Sequence, residues 1–182
     1  MRFEVNEQLY LETVNETMAD TLFELIELNR EHLGKRMPWV EYHLTKAGTF
    51  NFIISSENSL LNKRGMSAGM FYQGILCGVI GLSNTDMMNK NTSMGYWISK
   101  EYQGKGIVIN SCRALINHCF YTMGLHRVEI RCAIDNFRSQ SIPKKLGFLQ
   151  EGVLRQDEYL NGKFVDHCLF AMLEPEWEAL NN

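Results

Sequence analysis

The stretch Trp97 to Asn110, WISKEYQGKGIVIN, sets two glycines around a lysine where an apolar strand-like run gives way to an apolar helical one. Glycine has no Cβ, so backbone there can approach a ligand closely. A helix start offers unpaired N–H groups and the positive end of a dipole. Strand, glycine turn and helix in that order make a cradle for a phosphate-bearing ligand. The glycines alone fit a plain strand-to-helix linker equally well. Spacing excludes two nucleotide classes. A Walker loop ends in Gly-Lys-Ser/Thr, whereas Lys105 is followed by Gly106 and no hydroxyl is placed for magnesium. A dinucleotide fingerprint needs a third glycine where Ile109 stands.

Other reactive side chains point to less chemistry. The five cysteines form an odd set with no C-x-x-C pair, which reads as reduced, mostly buried thiols in the cytosol. Cys132 ends a strand-like run, and a small buried hydrophobe is favoured there over a covalent nucleophile. His118 and Cys119 fall on diverging sides of a helix, so no metal site is indicated.

Composition narrows the setting. At 182 residues, 45% hydrophobic and 21% charged, the chain is expected to form one domain, 1–182, with a real core. Its apolar runs are too short for a membrane span, and the acidic, mixed first twenty residues do not resemble an export signal. A cytoplasmic protein with no membrane partner is expected. The net charge of −3 argues against a general nucleic-acid partner.

The elements that must position the glycine turn follow from periodicity. Met18, Leu22, Leu25, Ile26 and Leu33 form a helical stripe with Asn15 as its N-cap. A weaker helical pattern covers Leu44 to Leu61, interrupted at GTFNF. Two apolar runs around Gln73-Gly74 predict a hairpin, and TSMGYWIS a further strand. After the glycines, Val108, Cys112, Leu115, Ile116, Cys119, Phe120 and Met123 recur at helical spacing. Val128, Ile130 and Cys132 alternate as a half-buried strand. A short helix around Ser139 to Leu146, a strand from Phe148 to Arg155, a turn at Asn161-Gly162 and a strand from Phe164 to Met172 complete a mixed α/β pattern.

The second half resembles the GNAT superfamily of acetyl-CoA-dependent N-acetyltransferases. Gln103-Gly104-Lys105-Gly106-Ile107-Val108 matches the family's [Arg/Gln]-x-x-Gly-x-[Gly/Ala] loop, except that Val108 replaces the final small residue. Asn136, Ser139, Gly147 and Phe148 reproduce the Asn-x-x-Ser to Gly-Phe block, with Pro143 expected to shorten or kink the helix between. Within the superfamily, HLGKRMPW (32–39), GYWISKEYQGKGI (95–107) and DEYLNGKFVDH (157–167) are most similar to the bacterial ribosomal-protein serine or alanine N-terminal acetyltransferases.

The resemblance implies a single GNAT-like α/β domain whose mixed, mostly antiparallel sheet is flanked by helices. Residues 103–108 would hold the acetyl-CoA pyrophosphate, mainly through backbone amides with Lys105 adding charge. Asn136 would meet the pantetheine arm, Ser139 would protonate the departing thiolate, and Glu158 would be the general base, acting through water. His32 and Trp39 would face the acceptor. No metal is implied, and a homodimer stays open. An α-amine with a pKa of about 8 is roughly a tenth neutral at pH 7, against about one lysine in two thousand. A protein N-terminus, such as that of a ribosomal protein, is therefore the favoured acceptor. A small amine (polyamine or antibiotic) and a non-catalytic CoA-binding regulator are the alternatives.

Overall fold

The computed structural model describes residues 1–41 and 43–181. In chain order its elements are β1 (Arg2–Asn6), β2 (Leu9–Thr13), α1 (Ala19–Gly34), α2 (Lys46–Leu61), β3 (Met66–Tyr72), β4 (Ile75–Asp86), β5 (Asn91–Ile98), α3 (Ile107–Asn117), β6 (Arg127–Ala133), α4 (Phe137–Lys145), β7 (Leu149–Leu160), β8 (Lys163–Leu173) and α5 (Glu174–Asn181). The strands form one sheet of eight in the order β1-β2-β3-β4-β5-β6-β8-β7. Every neighbouring pair is antiparallel except β5 with β6. This is the expected mixed, mostly antiparallel α/β architecture.

The first hairpin is absent from the sequence reading. Asn6 Oδ1 accepts from the N–H groups of Gln8 and Leu9, both at 3.0 Å, and this closes the turn. Leu9 and Leu11 then face the core, while the acidic and aromatic residues between and beside them mask the alternation. The C-terminal helix α5 was also not anticipated. It is anchored by Trp177, whose buried ring donates from Nε1 to Asn117 Oδ1 at 2.7 Å.

Three other expectations are corrected. Asn15 accepts from Thr17 N at 3.1 Å and caps a 3₁₀ turn, Glu16–Met18, that leads into α1. GTFNF does not break α2, because the helix starts at a Thr45 cap and buries Thr49, Ile53 and Ser56 on one stripe. The long helix ends as α3 at Asn117, and the chain continues as a π-turn, His118–Thr122, that keeps Cys119 and Phe120 buried.

Two apolar clusters hold the sheet. Ile107, Cys112, Leu115 and Ile116 of α3 join Met70, Ile80, Met94, Val128 and Phe170 from the strands. Leu22 and Ile26 of α1 and Ile53 of α2 join Leu76 and Val79 of β4. Helices therefore pack on the sheet through both clusters, and β5 and β6 lie near its middle. There the parallel pairing is short: Asn91–Met94 match Arg127–Ile130, and beyond this the two strands part.

Candidate active site

Where β5 and β6 part, a cavity of about 550 Å³ opens. Gly95, Tyr96 and Trp97 form one wall and Ile130 to Ala133 the other, with Trp39, His43 and Phe52 over the top and Asn136, Ser139, Glu158 and His167 at the side. Segments from distant parts of the chain thus meet around one space.

β5 leads into the glycine loop. Gly104 and Gly106 have φ of 80° and 76°, the left-handed region that side chains disfavour. Gly106 is the N-cap of α3, with no side chain capping the helix. The first bond into the helix runs from Asn110 N to Gly106 O at 3.1 Å, so the N–H groups of Ile107, Val108 and Ile109 precede it and point out of the helix start. A Cβ on Gly104 would meet nothing within 4 Å, so the loop has open space before it. These features fit a pyrophosphate. Ile107 is buried and offers only its amide. Val108, where the family prefers a small residue, packs its side chain against the core, which leaves the loop clear. Lys105 Nζ lies 4.7 Å from the Tyr102 ring centroid.

Side chains unnoticed in the sequence fix this loop. Buried Asn29 of α1 accepts at Oδ1 from Ser99 Oγ (3.1 Å) and from Lys100 N (3.0 Å), and donates to Leu25 O at 2.9 Å. All its strong polar groups are used, so α1 is clamped to the end of β5. Gln103 Nε2 meets His32 Nε2 at 2.8 Å, and Gln103 Oε1 accepts from Arg138 of α4. For that contact His32 must be neutral and accept at Nε2. Burial, then the charges of Lys100, Arg138 and Lys35, hold its pKa below the usual histidine value. His32 is not among the residues that line the cavity and lies against Gln103 at the glycine loop. Trp39 does line the cavity. Its ring centroid is 6.0 Å from that of Trp97 and 5.2 Å from that of His43, and it also packs on the α1–α2 cluster.

Helix α4 presents Ser139. Asn136 caps it, accepting at Oδ1 from Ser139 N at 3.2 Å, so the capping work falls to Asn136 and the Ser139 hydroxyl is left for other contacts. That hydroxyl lies 3.3 Å from Cys132 Sγ. Pro143, four residues on, has no N–H to give the Ser139 carbonyl. Tyr96 OH donates to that carbonyl instead, at 3.1 Å. Pro143 was expected to shorten or kink α4; the helix runs through it over nine residues, and the proline leaves a freed acceptor at Ser139. Burial raises the Cys132 pKa, which keeps it a thiol and a poor nucleophile.

Glu158 sits beyond the expected strand end at Arg155, because β7 runs to Leu160 through an irregularity. Leu154 pairs with His167 and Glu158 with Val165, four steps on β7 against two on β8. The wide bulge is held by Gln156, at φ 53°, whose N–H donates to Asp166 Oδ1 at 2.8 Å. It turns Glu158 into the cavity beside His167, with Glu158 Oε2 3.6 Å from His167 Nε2. Burial pushes the Glu158 carboxyl above the usual range, Asp157 adds to the rise, and His167 opposes it. A half-buried carboxylate with a raised pKa is chemically suited to accept a proton near neutrality.

The GNAT acetyltransferase domain family matches residues 8–149, well over half the chain. The chain belongs to this family. A GNAT ribosomal-protein-serine acetyltransferase of Escherichia coli (strain K12) is 32% identical over 171 residues, covering 93% of this chain and 94% of that protein. YdaF of Bacillus subtilis (strain 168), provisionally named a ribosomal N-acetyltransferase, is 37% identical over 177 residues, 96% of each. A solved structure of RimL, a ribosomal L7/L12 α-N-protein acetyltransferase in complex with coenzyme A, superposes with a TM-score of 0.93 at 26% identity, covering 97% of this chain and 99% of that one. The protein is an acetyl-CoA-dependent GNAT N-acetyltransferase. No described helix is long and apolar enough to cross a membrane.

Ser139, Asn136, Glu158 and Trp39 thus line one cavity, while Gln103 to Val108 lie at the β5–α3 junction and His32 lies against Gln103. Sequence reasoning missed Asn29, Tyr96, Trp97, Arg138 and His167. Only the paired polar residues in the 157–167 stretch offered a signal for the last of these.

Proposed function

We propose that this acetyltransferase moves acetyl from acetyl-CoA to a protein N-terminal α-amine, with a ribosomal protein as the favoured acceptor, by direct transfer in a ternary complex. The observation that carries this reading is a single cavity, continuous with the gap between β5 and β6, that is lined at once by Glu158, Ser139 and Trp39. The amides at the start of α3 hold the pyrophosphate, and Asn136 fixes the start of the helix that bears Ser139. Glu158 takes a proton from the acceptor ammonium, directly or through one water, and Ser139 supplies one to the departing sulfur. Holding both substrates in one cavity replaces a covalent enzyme intermediate, and the raised pKa of Cys132 supports that economy.

The acceptor class follows from the wall chemistry and the relatives. Trp39, Trp97, Phe52 and Met37 present apolar surface beside Glu158, which suits an amine attached to a peptide better than a polyamine carrying several charges. Arg36, tied to Asp135 at 2.5 Å, borders the same space from the segment after α1. The names of the E. coli relative and of RimL point the same way. The test is mass spectrometry of ribosomes and of N-terminal peptides incubated with the protein and labelled acetyl-CoA. Label on an N-terminal α-amine supports the reading. Label confined to lysine side chains or to small amines overturns it.

A further inference from the structure

A base that accepts a proton in every cycle must also release it. Glu158 is only one-third exposed, and an acceptor seated in the cavity that it lines would cover that side. Its other neighbour is His167, whose side chain is 11% exposed and which stands between two carboxylates. His167 Nδ1 is 3.0 Å from Asp157 Oδ2, a hydrogen bond that fixes the ring, and its Nε2 is 3.6 Å from Glu158 Oε2. Asp157, 27% exposed at its side chain against 33% for Glu158, does not line the cavity, so an acceptor seated there would leave its path to solvent open. The wide bulge of β7 is what sets Asp157 and Glu158 on either side of one imidazole of β8.

We propose that Asp157 and His167 form the proton outlet of Glu158, with His167 a positioning residue that acts through the base. This rests on the reading of Glu158 as the base. The acceptor ammonium loses one proton to Glu158. That proton passes to His167 Nε2, while the proton on Nδ1 passes to Asp157 and from there to water, which leaves His167 in the other tautomer. Exchange of the Nδ1 and Nε2 protons through water restores the starting tautomer, and each group then stands as it began. The charged groups around His167 are Asp157 and Glu158 on β7 and Arg131 on β6. Arg131 lies 3.8 Å from Asp157 and 3.5 Å from Glu129. Asp166, next to His167 on β8, is engaged with Gln156 N. Arg36 lines the same cavity, with its charge matched by Asp135.

The experiment is the pH profile of kcat/KM for the wild type, His167→Gln and Glu158→Gln, with acetyl-CoA and an N-terminal peptide that the wild type acetylates. In its protonated form His167 opposes the rise that burial imposes on the Glu158 carboxyl. Its loss should move the acid limb to higher pH, lower kcat about tenfold, and leave the acetyl-CoA KM unchanged, with added imidazole restoring part of the rate. An acid limb that stays in place, or a uniform loss at every pH without rescue by imidazole, overturns the outlet. Glu158→Gln separates the two ideas: wild-type turnover there sinks the base reading itself, whereas a collapse there with a normal His167→Gln enzyme sinks only the outlet. If His167→Gln does not fold, Asp157→Asn carries the test at the solvent end. A several-fold drop in kcat with an enlarged solvent isotope effect supports the outlet, and an unchanged kcat overturns it.

Discussion

The two halves of the site are built in opposite ways. The proposed phosphate end consists of one continuous stretch, strand to glycine turn to helix, which offers backbone amides. The acceptor end is assembled from α1 and the segment after it, α2, β5, β6, α4, β7 and β8, and it works with side chains. Backbone recognition depends on conformation, so two glycines and an uncapped helix start suffice, and Val108 can replace a small residue without blocking the loop. Side-chain recognition depends on tertiary placement, so single substitutions there should alter chemistry while cofactor binding persists.

The strongest way to test that contrast is Glu158→Gln, which keeps shape and removes the base. Turnover should fall by about a hundredfold or more near neutrality, the usual range for a general base, while calorimetry shows unchanged acetyl-CoA affinity. The wild-type rate should fall in acid as Glu158 takes up its proton, at a pH above the ordinary carboxylate range because burial raises its pKa. The defect should shrink as pH approaches the amine's own pKa, where solvent supplies the neutral nucleophile. Weakened cofactor affinity would erase the separation between the ends.

Gly106→Val attacks the other end. The left-handed φ of 76° is strained for a β-branched residue, so the helix start should move. Acetyl-CoA affinity should drop by about tenfold or more, as expected on losing a few charge-assisted hydrogen bonds. Affinity unchanged in a folded variant would show that the pyrophosphate lies elsewhere.

Asn29→Leu probes the clamp between the two ends. Ser99 Oγ and Lys100 N would lose their shared acceptor. Denaturant unfolding should report a loss of about 2–4 kcal/mol, with a several-fold rise in the acetyl-CoA KM. A stability change without any KM change would limit Asn29 to a structural role.

Cys132→Ala should have the least effect on turnover, with most of the wild-type rate retained. Isolation of an acetylated Cys132 that passes its acetyl to the amine at a competent rate would reverse this reading.

Legibility in the sequence followed the same division. Wherever the decisive physics was local, the chain could be read: the Gln73-Gly74 hairpin, the apolar stripe of α3, and the glycine turn itself. The β1–β2 hairpin was missed because only Leu9 and Leu11 of its second strand face inward. GTFNF looked like a break because α2 buries Thr49 and Ser56, polar residues that a hydrophobic stripe does not register. His32 was expected at the acceptor and lies against Gln103 instead, because which side of a loop a side chain takes is decided by packing between α1 and α4. His167 could not be singled out, since its partners come into range only through the irregular pairing of β7.

The wide bulge of β7 has a further meaning. A single extra residue would reverse which face every later side chain presents, but two extra residues restore the alternation, so Tyr159 and Leu160 continue the hairpin in phase. The sheet is indifferent to whether those two residues are present. Glu158 keeps its place opposite Val165 by count from the Asn161-Gly162 turn, so the extra residues bear on Asp157, the member of the Asp157–His167–Glu158 group that stands outside the ladder.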